Sequence, residues 1–191
     1  MDRFARWLTA IAFLAAGANP LAAGDARPSL VPWRVVDPAT VVDAPLVLYW
    51  IPATGEELRR SELLTSEELT LFSSRCVAMR VVRFNDSARL TTLGVGPEVP
   101  LAVLTDRDGN VLGRVEPDDG VLEVVEVEEL VRETLEKREA DADVLLDRAR
   151  ELMDEDEPAA MELYGRVWEA RCICPRQARD AKRAMKKLGK K

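Results

Sequence analysis

The chain has 191 residues, a net charge of −7 and no histidine. That acidic balance argues against a general affinity for nucleic acid, which calls for a basic face. Without imidazole the commonest general base is missing too. The length suffices for one domain with a proper core and a small appendage.

Residues 1–23 have the pattern of a signal peptide. Arg3 and Arg6 give a positive start, "WLTAIAFLAA" an apolar stretch, and Pro20 with "LAAG" a small-residue exit. The apolar run is about ten to twelve residues, short of the roughly 20 needed to span a bilayer. Cleavage is expected between Ala22 and Gly24, leaving a mature chain with a net charge of about −8. The expected location is the periplasm or the exterior of a bacterial cell. The alternative is an uncleaved N-terminal membrane anchor. No later segment is apolar long enough to span a membrane.

Residues 24–43 form a proline-punctuated lead-in, with one short strand expected within "WRVVDPATVV". "APLVLYWI" (44–51), bounded by prolines, predicts a buried central strand. "ELLTSEELTLFSS" predicts a helix opened by a capping box from Thr65 to Glu68. "CVAMRVVRF" (76–84) is a second buried strand, with Cys76 packed as a small apolar residue. "NDSARLTTLGVG" predicts a short helix closed by Gly94. Leu101–Leu104, the Asp108-Gly109 turn signal and Val111–Val115 predict a hairpin. "VEVEELVRETLEKREA" is an amphipathic helix. These elements make one α/β unit over 44–140, a mixed sheet flanked by helices.

Residues 141–191 change character. "DADVLLDRARELMDEDEP", "AAMELYGRVWEARC" and "PRQARDAKRAMKKLG" predict a helical hairpin followed by one more helix. The segment Glu116–Glu157 is acidic and Arg176–Lys191 basic. These read as two solvated faces, or as a basic tail that docks on the acidic segment or on an acidic partner.

The element order over roughly 35–140 resembles the thioredoxin-like fold. "PLVLYW" resembles the central strand that ends at the family's redox site. "GPEVPLAVLTDRDGNVLGRVEP" resembles its second half, in which a cis-proline precedes a strand and an Asp/Asn-Gly hairpin follows. The resemblance implies a cis bond at Val99–Pro100. It also implies a groove beside Trp50, Val99 and Pro100, where a protein partner or extended peptide adds as a strand.

The departure from the family is chemical. Where the resemblance puts an aromatic-flanked Cys-x-x-Cys, this chain has Thr54, Gly55, Glu56 and Glu57. A helix N-terminus activates a thiol by lowering its pKa; threonine offers none. Hydrolysis by Thr54 would need an activating base, and the chain has no histidine to supply one. Glu57 reads as a carboxylate that stabilises the helix start. The expectation is a non-catalytic interaction module with no cofactor and no metal.

Three cysteines, Cys76, Cys172 and Cys174, remain. Three roles stay open: a bridge from Cys76 to Cys172 or Cys174, a local Cys172–Cys174 bridge, or free thiols. Two alternative functions follow, thiol–disulfide exchange by Cys172 and Cys174, or soft-metal binding by the Cys-x-Cys pair. In the tail, Ala160 and Tyr164 within "AAMELYGRVWEA" loosely resemble the second helix of a tetratricopeptide repeat. One and a half repeats do not stand alone, so the tail reads first as a cap on the α/β unit. Tyr164 and Trp168 share one helix face and read as core.

Overall fold

The computed structural model describes residues 29–37, 41–96 and 99–189. The expected signal peptide and the first part of the lead-in lie outside these residues. Among the described residues are five strands and six α-helices. In chain order these are β1 (Arg34–Val35), β2 (Leu46–Ile51), α1 (Glu57–Arg60), α2 (Glu67–Ser74), β3 (Val77–Val81) and α3 (Ser87–Thr92). Then come β4 (Leu101–Asp106), β5 (Val111–Val115), α4 (Val124–Leu152), α5 (Glu157–Glu169) and α6 (Pro175–Leu188). The strands form one mixed sheet in the order β1-β3-β2-β4-β5. β3 pairs in parallel with β1 and β2, while β4 runs antiparallel to both β2 and β5.

All six residues of β2 are buried, because both faces of this central strand are covered. Alternation sends Leu46, Leu48 and Trp50 into one core with Met79, Leu104 and Val131. Val47, Tyr49 and Ile51 enter a second core on the other face with Val82, Leu93 and Val103. The hairpin between β4 and β5 is held by Asp106. Its carboxylate accepts from the backbone N–H of Asp108 and Asn110, each at 2.9 Å, and from Asn110 Nδ2 at 2.9 Å. Burial pushes the Asp106 carboxyl up, but these Asn110 and Asp108 hydrogen bonds outweigh it and leave the pKa below its ordinary value. At Gly113 a Cβ would come within 2.5 Å of Leu130 Cδ1, the tip of a side chain on α4, so a larger residue there would require Leu130 to move.

Three local expectations are corrected. The cap of α2 is Ser66, not Thr65: its hydroxyl accepts from Leu69 N at 2.9 Å. Glu68 turns away from the capping box and takes a two-pronged hydrogen bond from Arg132, at 2.9 and 2.7 Å. Arg132 pulls the Glu68 carboxyl below its usual value. Cys76 is not a strand residue. It sits half-buried in the turn between α2 and β3, with φ at +62°. This is the left-handed position after a helix C-cap that glycine usually takes.

The third correction concerns the helices around residue 140. The two expected helices, "VEVEELVRETLEKREA" and "DADVLLDRAREL", are one helix of 29 residues. No proline or glycine interrupts 124–152, and the buried stripe of Val127, Val131, Leu135, Ala142, Leu146 and Ala149 continues through the join. Its first half packs on α2, β4 and β5, and its second half on α5 and α6. The helical tail therefore grows out of the α/β unit on a shared rod. Tyr164 on α5 is buried, and its hydroxyl lies 3.3 Å from Met153 Sδ. Trp168 is half-buried, with Lys182 Nζ 4.6 Å and Arg171 5.4 Å from its ring centre.

Candidate functional site

β2 ends at Ile51 opposite Leu101, the first residue of β4. Pro100 therefore stands beside the loop that leaves the central strand. The Val99–Pro100 peptide is cis. Between this loop, Pro100 and the segment leading into α4 lies a groove of about 560 Å³. Thr54, Glu57 and Pro100 line it, joined by Ala53, Val121 and Leu122. The sequence-expected residues Thr54, Glu57 and Pro100 thus meet in one cleft. Trp50 lies fully buried beneath it.

Thr54 and Glu57, two of the polar side chains at the groove, are engaged by neighbouring donors. Thr54 Oγ1 accepts from Glu57 N at 3.1 Å, and Leu58 N donates to Thr54 O at 3.2 Å. Thr54 therefore holds the turn that leads into the short α1. Glu57 answers in the other direction: Oε2 accepts from Ala53 N at 2.8 Å. This is the reciprocal exchange of a capping box, displaced by one residue. Glu57 Oε1 accepts from Trp50 Nε1 at 3.2 Å and satisfies the indole N–H of a buried ring. Trp33 packs against that ring at 5.5 Å, tilted by 59°, and donates from its own Nε1 to Leu63 O at 2.8 Å. Glu56 pairs outward with Arg60 at 2.7 Å, and Gly55 stands in open space.

One wall of the groove was missed by the sequence reading. Asp119 and Gly120 have φ of +47° and +78°, and Asp118 and Val121 exchange two backbone hydrogen bonds of 2.9 Å. This is a tight turn of the kind an Asp-Gly dipeptide specifies, so Asp119-Gly120 carried the signal. The turn presents Val121 at the groove, 57% exposed.

The cysteines lie at the other end of the sheet. Cys76 and Cys172 form a disulfide, with Cα atoms 5.8 Å apart. Val77, the next residue, pairs with Leu46 at the start of β2. Five strand steps, about 16 Å, separate that end from Ile51 and the groove. Cys174 is free and buried, its Sγ 3.5 Å from Arg138 O. Burial, and then the charge of Glu139, push its thiol above the ordinary value. Arg75 clasps the same corner, donating to the Glu139 carboxylate and to Ile173 O, the latter at 2.6 Å. Among the described residues no group of three or more His, Cys, Asp or Glu side chains could hold a metal ion, and no helix is long and apolar enough to cross a membrane.

No protein-family model matches the chain, and no curated protein matches it either.

Proposed function

We propose that this chain is an exported thioredoxin-like protein without a redox pair, whose groove holds an extended polypeptide and performs no chemistry on it. The mixed sheet, the cis bond before β4 and the cleft at the end of β2 support the thioredoxin-like reading. One observation carries the functional reading. At the position where the resemblance puts the second sulfur, the Glu57 carboxylate is spent on Trp50 Nε1 and Ala53 N. Neither Glu57 nor Thr54 is then poised as a base or nucleophile. The floor of Ala53, Pro100 and Leu122 beside the exposed Val121 suits an apolar side chain of a strand laid along the cleft.

Two other readings are less favoured. Exchange by Cys172 and Cys174 would need an accessible thiolate, whereas Cys172 is bridged and burial disfavours the Cys174 thiolate. Soft-metal binding by the pair would need Cys172 released from Cys76.

The test is selection of displayed peptides on the full chain, followed by amide NMR. Selected peptides should shift the amides of Ala53, Thr54, Leu101 and Val121, and Val121→Arg should weaken binding at least about tenfold. Peptides that bind without moving these amides would refute the groove reading. Acceleration of dithiothreitol-driven insulin reduction would refute the claim of no chemistry.

A further inference from the structure

The outer face of α6 carries charge of one sign. Arg176, Arg179, Lys182, Arg183, Lys186 and Lys187 are all exposed. At 3.6 residues per turn they share an arc of about 140°. The opposite side, with Ala178, Ala181 and Leu188, is buried against α4 and α5. The only acid in the helix, Asp180, pairs with Arg183 at 3.4 Å. Like charges three and four residues apart weaken a helix, and Arg176/Arg179, Arg179/Arg183 and Lys182/Lys186 are such pairs. Among the described residues Arg176, Arg179, Lys186 and Lys187 make no ion pair. Apart from Asp180, α6 supplies no anion that would relieve this face.

A match for it exists on the same chain. Glu126, Glu129, Glu133 and Glu136 are exposed on the first half of α4. Their numbers advance by three, four and three. Arg176, Arg179, Arg183 and Lys186 advance by the same intervals. Each stripe is about 15 Å long at 1.5 Å per residue, and the spacing is that of the seam between two helices in a left-handed pair. Glu126, Glu129, Glu133 and Glu136 also make no ion pair among the described residues. Within one chain the stripes are apart, because α6 lies on the second half of α4, where Gln177 Nε2 donates to Asp143 at 3.2 Å.

We propose that α6 of one copy docks along the first half of α4 of a second copy. The alternatives fit less well. A chain with a net charge of −7 is repelled alike by a nucleic acid, an anionic bilayer and a second copy, so matched spacing, which a continuous anionic surface does not offer, chooses the partner. The apolar side of α6 is already buried, so the helix has nothing to insert into lipid. A matched acidic helix needs only the stripe. Because the two surfaces differ, the contact is head-to-tail and builds open chains of copies rather than a closed dimer. The pairs are solvent-exposed, so the contact is weak and sensitive to salt, the screening length falling from about 10 Å at 0.1 M to about 3 Å at 1 M. This inference is independent of the groove.

The experiment is sedimentation velocity on the purified full chain across about 5 to 500 μM, the range of weak contacts. At about 50 mM NaCl the weight-average coefficient should rise with concentration, and at about 500 mM it should not. Two fourfold variants, checked for native circular dichroism, decide the surfaces. One carries Arg176→Glu, Arg179→Glu, Arg183→Glu and Lys186→Glu; the other carries Glu126→Lys, Glu129→Lys, Glu133→Lys and Glu136→Lys. Each alone should stay monomeric at low salt, and an equimolar mixture should associate again. A wild-type chain that stays monomeric at low salt overturns the proposal, as does association that survives in either variant alone or a mixture that stays monomeric. A monomeric wild type that adsorbs to phosphatidylglycerol vesicles would assign the α6 face to lipid instead.

Discussion

The two ends of the sheet handle reactive side chains in opposite ways. At the end of β2, where a thioredoxin-like reading expects sulfur, an alcohol and a carboxylate hold the turn into a helix and satisfy a buried indole. At the start of β2 and β3, sulfur is present, and it ties the turn after α2 to the corner between α5 and α6. Position on the scaffold does not decide whether a residue is chemical or structural. The neighbours decide it, by what they leave unpaired and exposed.

The largest expected effect breaks the comparison at the sulfur end. The bridge spans a sequence separation of 96 residues. The double variant Cys76→Ser, Cys172→Ser should lose about 4 kcal/mol in denaturant unfolding, most of it entropy returned to the unfolded chain. Replacing Cys76 with Gly instead, again with Cys172→Ser, should recover about 1 kcal/mol, because glycine accepts a φ of +62° without strain. A loss well below 1 kcal/mol would mean that packing alone holds the tail.

The next effect lies at the groove end. Glu57→Ala leaves the buried Trp50 N–H and the Ala53 N–H without their acceptor. It should cost about 2 to 3 kcal/mol, and Glu57→Gln, which keeps an acceptor, about 1 kcal/mol. A carboxylate held for catalysis rather than structure would show the reverse, with Ala neutral or stabilising. Thr54→Ala should cost about 1 kcal/mol and Thr54→Ser a few tenths, the pattern of a hydroxyl that accepts from a backbone N–H at a helix start.

The smallest effect is a pH dependence between the ends. The Arg132 hydrogen bond holds the Glu68 carboxyl below its unfolded pKa. Its contribution is therefore present above the unfolded carboxyl range and is lost as pH falls through the lower folded value. Both side chains are partly solvated, Arg132 at 40% and Glu68 at 33% exposure, so solvent screening keeps the contribution small. Urea midpoints compared at about pH 7 and about pH 3 should fall slightly less in Glu68→Gln than in the parent.

Strong local patterns were legible in the sequence. The apolar run ending at Trp50 and the Asp108-Gly109 turn each specify their element with short-range chemistry, and the strands and hairpin formed there. Long-range competition was not legible. Thr65 and Glu68 match a capping box, but Arg132, 64 residues away, takes the carboxylate and Ser66 takes the cap. Cys76 looked like a strand residue because its left-handed turn is imposed by the end of α2, not by its own propensity. The join at residue 140 looked like a boundary because each side reads locally as its own helical pattern, while the buried stripe that decides helix continuity runs through it. At the groove, Thr54, Glu57 and Pro100 were named from the resemblance of the flanking segments to the thioredoxin-like fold, not from their own local propensity. Val121 was missed because Asp119-Gly120 lies in an acidic stretch and turns a loop rather than joining two long strands.

The account rests on sulfur being architectural in this chain, and counting thiols tests that most directly. Ellman's reagent on the unreduced native protein should find no reactive thiol, because Cys76 and Cys172 are bridged and Cys174 is buried. In guanidinium a single thiol should appear, and fragmentation of the tryptic peptide that carries both Cys172 and Cys174 should place it at Cys174. Prompt labelling of Cys172 or Cys174 in the native protein, or a bridge between those two, would contradict the account.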